Sequence, residues 1–151
     1  DPSLKGMGTT VSMVTLARHM AFWGHVGDSR IYLYRDGEFK QISVDHTIVQ
    51  VLLEKGKITE EEAMDHPQRH VLTRAVGVDE NLVVDSGAFE VQPKDRILIC
   101  SDGLTSFIQK QELYDAIGDY RRTEREIIND LFARVYENGA KDNITAILTT
   151  I

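Results

Sequence analysis

Arg96-Ile97-Leu98-Ile99-Cys100-Ser101-Asp102-Gly103 is the stretch on which the fold and the chemistry of this chain both turn. Three aliphatic residues and a cysteine in succession predict a strand buried on both faces. An aspartate and a glycine follow where that strand runs out. A carboxylate is costly inside an apolar core unless its charge is compensated, which sets Asp102 at the core's rim, held by a rigid strand. Gly103 lets the backbone turn sharply or approach a ligand closely. For a single Asp-Gly pair, the plainer alternative is a turn aspartate capping the next helix.

Two further acids alter that balance. Met20 to Val26 reads as a strand that ends in Gly27-Asp28-Ser29-Arg30, again with an acid at its end. Ala140-Lys141-Asp142-Asn143 precedes the strand-like run Ile144 to Ile151, a third rim acid, now at a strand's start. Three aspartates far apart in sequence can converge at one edge of a sheet. Carboxylates brought together repel, so such an arrangement needs a cation. All-oxygen ligation selects Mg²⁺ or Mn²⁺ before Zn²⁺. No Cys-x-x-Cys pair argues for zinc. The five histidines are scattered and read as structural or solvent-facing, His46 beside Asp45 being the least settled.

With 151 residues and 42% apolar content, one compact domain is expected. The net charge of −7 argues against nucleic acid or an anionic membrane as partner. The apolar runs are too short to span a bilayer and no signal peptide is visible. One cysteine makes no internal disulfide, so nothing points to an oxidising compartment and the cytoplasm is the expected location.

Around the opening stretch, Val11 to Ala17 predicts a strand entered from Gly6-Met7-Gly8-Thr9-Thr10. That glycine pair is a poor phosphate cradle, because a strand follows where a phosphate loop needs a helix; a tight backbone crossing fits better. Arg18-His19 and Asp36-Gly37 mark turns of an antiparallel meander that runs to Ile42. His46 to Lys55 predicts a short helix stopped by Gly56, and Thr59-Glu60-Glu61-Glu62 a capping box opening a second. Pro67 ends it, and Val71 to Gly77 returns the chain to the core. Residues 45–77 thus form a helical insertion, either a flap over one end of the sheets or an ordinary helical connection. Asn81 to Glu90 predicts another strand. Gln109 to Ile117 and Thr123 to Asn138 are helical by period, the latter with an apolar stripe of Ile127, Ile128, Leu131, Val135 and Tyr136 and a stop at Gly139.

Five motifs in order carry a resemblance: Gly6-Met7-Gly8-Thr9-Thr10, Gly27-Asp28-Ser29-Arg30, Leu72-Thr73-Arg74-Ala75-Val76-Gly77, Ser101-Asp102-Gly103-Leu104 and Asp142-Asn143-Ile144-Thr145. The chain resembles the bacterial branch of the metal-dependent serine/threonine phosphatases of the protein phosphatase 2C type. The resemblance implies an α+β fold, an antiparallel β-sandwich flanked by helices and N-terminally incomplete. It makes residues 1–151 one phosphatase-like domain, its C-terminal portion, with 45–77 as the flap. It implies Mn²⁺ or Mg²⁺ as cofactor, two ions and a third in bacterial members. Asp102 and Asp142 match ligands of the binuclear centre, and Asp28 matches, with Asp102, the third site. Implied partners are phosphorylated proteins and a cognate serine/threonine kinase.

The implied chemistry is hydrolysis by a metal-activated water, with no protein nucleophile. Other phosphatase classes fail on the residues themselves. A cysteine phosphatase needs Arg six positions after its Cys, and Ser106 stands there; an aspartyl-phosphate enzyme needs a second Asp where Leu104 stands. Cys100 reads as strand core. Family members also carry a phosphate-contacting Arg and an Asp-Gly-x-Gly-Gly motif ahead of Gly-x-Gly-Thr-Thr, and neither occurs in this sequence. Hydrolysis by the chain alone is therefore expected to be weak, and its uncovered strand edges to favour dimerisation. The alternative is a non-catalytic binding module that keeps the phosphatase scaffold.

Overall fold

Antiparallel pairing organises the chain in the computed structural model, which describes residues 2–78, 80–140 and 142–151. The strands are β1 (Val11–Ala17), β2 (Met20–Val26), β3 (Arg30–Arg35), β4 (Glu38–Gln41), β5 (Asp85–Glu90), β6 (Arg96–Cys100) and β7 (Ala146–Thr150). They form a three-stranded sheet in the order β1-β2-β5 and a four-stranded sheet in the order β4-β3-β6-β7. The helices are α1 (Ile48–Glu54), α2 (Glu60–Met64), α3 (Asp102–Thr105), α4 (Lys110–Ile117) and α5 (Glu124–Glu137). None of the described helices is long and apolar enough to cross a membrane.

The period of two decides which layer each residue joins. Ile31 pairs with Ile99 and Leu33 with Ile97 across β3 and β6, and these side chains meet Ala21, Val14, Trp23 and Phe89 of the other sheet. Their neighbours Tyr32, Tyr34, Leu98 and Cys100 point the opposite way into the helical layer. β6 is therefore covered on both sides, as a strand of unbroken apolar residues requires. Burial pushes the Cys100 thiol up to about 12, which removes it as a nucleophile. Ile127, Leu131 and Val135 of α5 are fully buried against this layer, each worth about 1.5–3 kcal/mol of apolar transfer. Tyr136 does not belong to that stripe and is largely exposed, since it lies one helical step beyond Val135.

Among the described residues, none packs over the outer face of the three-stranded sheet at Val11, Met13 and Phe22. Val11, Met13 and Phe22 project from β1 and β2 away from the inter-sheet core and are 43%, 54% and 49% exposed.

Arg96 opens β6 as a buried cation. It donates to the carbonyls of Ile117, Asp119 and Arg122 and lies 4.3 Å from the Tyr120 ring centroid, so it closes the α4–α5 connection with carbonyl acceptors. Asp95 beside it is also buried and takes both arms of Arg35, at 2.8 and 2.6 Å, and the Gln92 N–H.

Two further expectations are corrected. The strand predicted over Asn81 to Glu90 begins only at Asp85. Asp85 pairs with His25, and β2 has just one residue left before Gly27 turns it away, so residues 81–84 have no partner strand. The run Val71 to Gly77 returns to the core through the buried Ala75, while Leu72 and Val76 make isolated bridges to Thr47 and Thr9. Asp142 does not open a strand, because β7 starts at Ala146 and residues 142–145 form a loop.

Candidate metal centre

Gly27-Asp28-Ser29 is a turn held from several sides. Gly27 has φ +110, and a Cβ there would overlap the side chain of Thr10 and come within 3.2 Å of its Cα. Glycine is required twice over, by conformation and by the close crossing. The Thr10 and Ser29 hydroxyls share a hydrogen bond at 2.9 Å, and Ser12 donates to the Ser29 carbonyl. Gly8 packs against Val78 and Ala75. The Gly-Met-Gly-Thr-Thr segment is therefore the backbone crossing read from the sequence, and it buttresses the Asp28 turn. Arg30 reaches the other way, bidentate on Asp45 at 2.6–3.0 Å and on the Tyr32 hydroxyl.

Asp102 lies in the first turn of α3, behind Ser101 as the N-cap residue, which makes no side-chain cap bond. It therefore stands one residue further on than a strand terminus. Gly103 is buried, and a Cβ there would fall well under 3.0 Å from the Asn143 carbonyl oxygen. Ser101 N–H donates to the Thr145 carbonyl at 2.9 Å, and Thr145 N–H returns a bond to Ser101 Oγ at 3.0 Å. These contacts bind the 142–145 loop to the start of α3 and carry Asp142 beside it. Asp142 is exposed and accepts from the Asn143 N–H through Oδ1. Lys141, next to it, lies outside the described residues.

Burial, and after it the charges of Asp102 and Asp45, raise the Asp28 carboxyl above its ordinary value. Two carboxylates from distant strand ends thus repel each other at one end of the sandwich. His70, at the end of the helical insertion, approaches Asp102 to 3.7 Å between Nδ1 and Oδ2. It was not singled out by sequence; its spacing four residues after His66 is the one mark it carries, and the folded insertion brings it here. His46 and His25 are buried in the wall behind Asp28, their ring centroids 4.8 Å apart. Burial, then the neighbouring His46, holds the His25 imidazole below its usual value.

Oxygen donors that repel one another suit a hard divalent cation. Among the described residues, no three His, Cys, Asp or Glu side chains converge closely enough to enclose one. The chain brings the Asp102 carboxylate close enough to act on Asp28, and it ties the loop bearing Asp142 to the start of α3.

The sequence profile of the family described as protein phosphatase 2C matches residues 1–149. The chain belongs to the protein phosphatase 2C family. It is 37% identical over 148 residues to the serine/threonine phosphatase stp of Listeria welshimeri, covering 98% of this chain and 58% of that protein. The structure of the Mycobacterium tuberculosis serine/threonine phosphatase PstP/Ppp superposes with a TM-score of 0.93 at 36% identity, covering all of this chain and 63% of that one. The catalytic domain of a serine/threonine phosphatase PstP, in complex with two manganese ions, matches with a TM-score of 0.86 at 34% identity over 98% of this chain and 60% of that one. The chain thus spans about three-fifths of the length of these protein phosphatase 2C relatives. The α+β sandwich expected from the motifs is the architecture shared with them.

Proposed function

We propose that this chain is the C-terminal portion of a phosphatase domain that hydrolyses phosphoserine and phosphothreonine in proteins, using Mn²⁺ or Mg²⁺. The observation that carries the proposal is the pair Asp28 and Asp102, whose charges oppose each other in a sandwich that is similar to those of solved serine/threonine phosphatases. Asp102, Asp142 and Asp28 are the residues that would hold metal. A bound divalent cation would supply Lewis-acid stabilisation of charge on the phosphoryl oxygens and a nucleophilic water. The chain's own contribution is positional. The Thr10–Ser29 and Ser12–Ser29 bonds hold the turn bearing Asp28, and the Ser101–Thr145 clip ties the loop bearing Asp142 to the start of α3. Residues 45–77 act as a flap whose end sets His70 beside Asp102.

Substrates in this reading are phosphorylated proteins, with a cognate serine/threonine kinase supplying the phosphate and the cytoplasm as the setting. The test is turnover of para-nitrophenyl phosphate and of a phosphothreonine peptide with Mn²⁺, by the chain alone and joined to the further length its relatives carry. Turnover orders of magnitude higher in the longer form is expected, because positioning and electrostatics supply most of phosphoryl-transfer catalysis. No turnover in the longer form would favour a non-catalytic binding module instead.

A further inference from the structure

His46 is 4% exposed and joins three separate parts of the chain. Its Nδ1 accepts the Gly27 N–H at 3.1 Å, and its own N–H donates to the Gly27 carbonyl at 2.7 Å. Its carbonyl accepts from Thr73 N–H at 2.8 Å, beside the Ile48 to Val71 bond that closes the base of the helical insertion. Its Nε2 lies 3.1 Å from Asp85 Oδ2 on β5, while Arg74 holds the other oxygen of that carboxylate at 2.6 Å. Because a backbone N–H can only donate, Nδ1 is the unprotonated nitrogen and Nε2–H is the donor to Asp85.

We propose that His46 is the positioning residue for Asp28: its Nδ1 pins the Gly27 amide, and so fixes the direction in which the next residue presents its carboxylate towards Asp102. The Gly27 backbone is in the left-handed region and has no side chain to steady it. Its N–H and carbonyl are both bonded to His46, so this residue sets the orientation of the Gly27 end of the turn, while Thr10 and Ser12 hold the Ser29 end. The Nε2–Asp85 bond fixes the ring plane and ties it to Arg74 at the exit of the insertion. The inference rests on the metal role proposed above for Asp28.

Two substitutions separate the ends of the ring. Asparagine places an amide oxygen near the position of Nδ1 and keeps the Gly27 acceptor; glutamine places an amide nitrogen near Nε2 and keeps only the Asp85 donor. The readouts are Gly27 amide hydrogen exchange by NMR in metal-free protein, Mn²⁺ affinity by calorimetry, and Tm. His46→Asn should keep Gly27 protected and Mn²⁺ affinity close to wild type. His46→Gln should expose the amide and weaken Mn²⁺ about tenfold or more, in the range found for residues that orient metal ligands. Unchanged Gly27 exchange in His46→Gln overturns the proposal. So does a loss of Mn²⁺ affinity that follows Tm alike in both variants, the behaviour of a residue with only a packing role. If His46→Gln does not fold, loss of Gly27 protection in His46→Asn overturns it alone. If Asp28→Asn leaves Mn²⁺ binding unaltered, the metal reading fails, and Gly27 exchange still decides the role of His46.

Discussion

Gly103→Ala is a one-methyl change with a large expected effect. Gly103 is buried at the start of α3, and its φ lies outside the left-handed region that favours glycine. On backbone grounds alone, alanine should stabilise by up to about 1 kcal/mol through helix propensity. Space decides the opposite sign. The new Cβ would fall well under 3.0 Å from the Asn143 carbonyl oxygen, 3.1 Å from its carbon and 3.5 Å from Ile144 Cα. All three neighbours are backbone atoms of a loop tied to Ser101 by two hydrogen bonds, so no side chain can swing aside. Overpacking of this kind costs about 3 kcal/mol at the upper end of its usual range, leaving a net loss near 2 after the propensity gain. Urea unfolding should show that loss, and the 142–145 loop should move away from α3, so Mn²⁺ affinity should fall with it. Gly24→Ala is the control, since its Cβ would meet only Met13 Cγ at 3.6 Å and Sδ at 3.8 Å, ordinary contact. It should be neutral or stabilising by up to about 1 kcal/mol. A Gly103→Ala protein as stable as wild type would refute the claim that the two loops meet through this residue.

Burial alone would raise the Asp95 carboxyl, but the Arg35 fork and the Gln92 N–H outweigh it and hold it below the usual value. A depressed group contributes stability above its unfolded value, near pH 4, and loses it as pH falls through the folded one. Asp95→Asn should cost about 2 kcal/mol at pH 7, because Arg35 loses a charged partner, and progressively less below pH 4. A gap of constant size between pH 7 and pH 3 in urea titrations would contradict that. Phe22→Lys, on the uncovered outer face, should change stability by no more than about 0.5 kcal/mol and suppress self-association measured by light scattering. A wild-type chain that stays monodisperse and monomeric at high concentration would remove that face as a contact surface.

The fold was legible because its strands are marked at both ends. Asp36-Gly37 and Arg18-His19 place hairpins, and the unbroken apolar run of β6 could only be a strand covered on both faces. Where sequence overran, a tertiary cause is visible: residues 81–84 carry β-branched valines, yet β2 ends before they could pair. The aspartates were legible because an acid at the end of an apolar strand is conspicuous. Their support was not. Thr10 on Gly27, Ser101 on Thr145, and His46 between Gly27 and Asp85 are contacts between residues far apart in the chain, and composition carries no trace of them. The same holds for Arg96, whose place in a strand gave no warning that its charge would be buried among helix carbonyls.

The proposed function makes Asp28, Asp102 and Asp142 the residues that would hold a divalent metal, with Asp102 the most sensitive of them. Calorimetric titration of Mn²⁺ into the wild-type chain, Asp28→Asn and Asp102→Asn tests it most directly, since each substitution keeps shape and removes charge. Both variants should bind more weakly than wild type, and Asp102→Asn should lose more than Asp28→Asn. Equal or reversed losses would contradict the assignment of Asp102, and wild-type affinity in both would show that these aspartates are turn residues and nothing more.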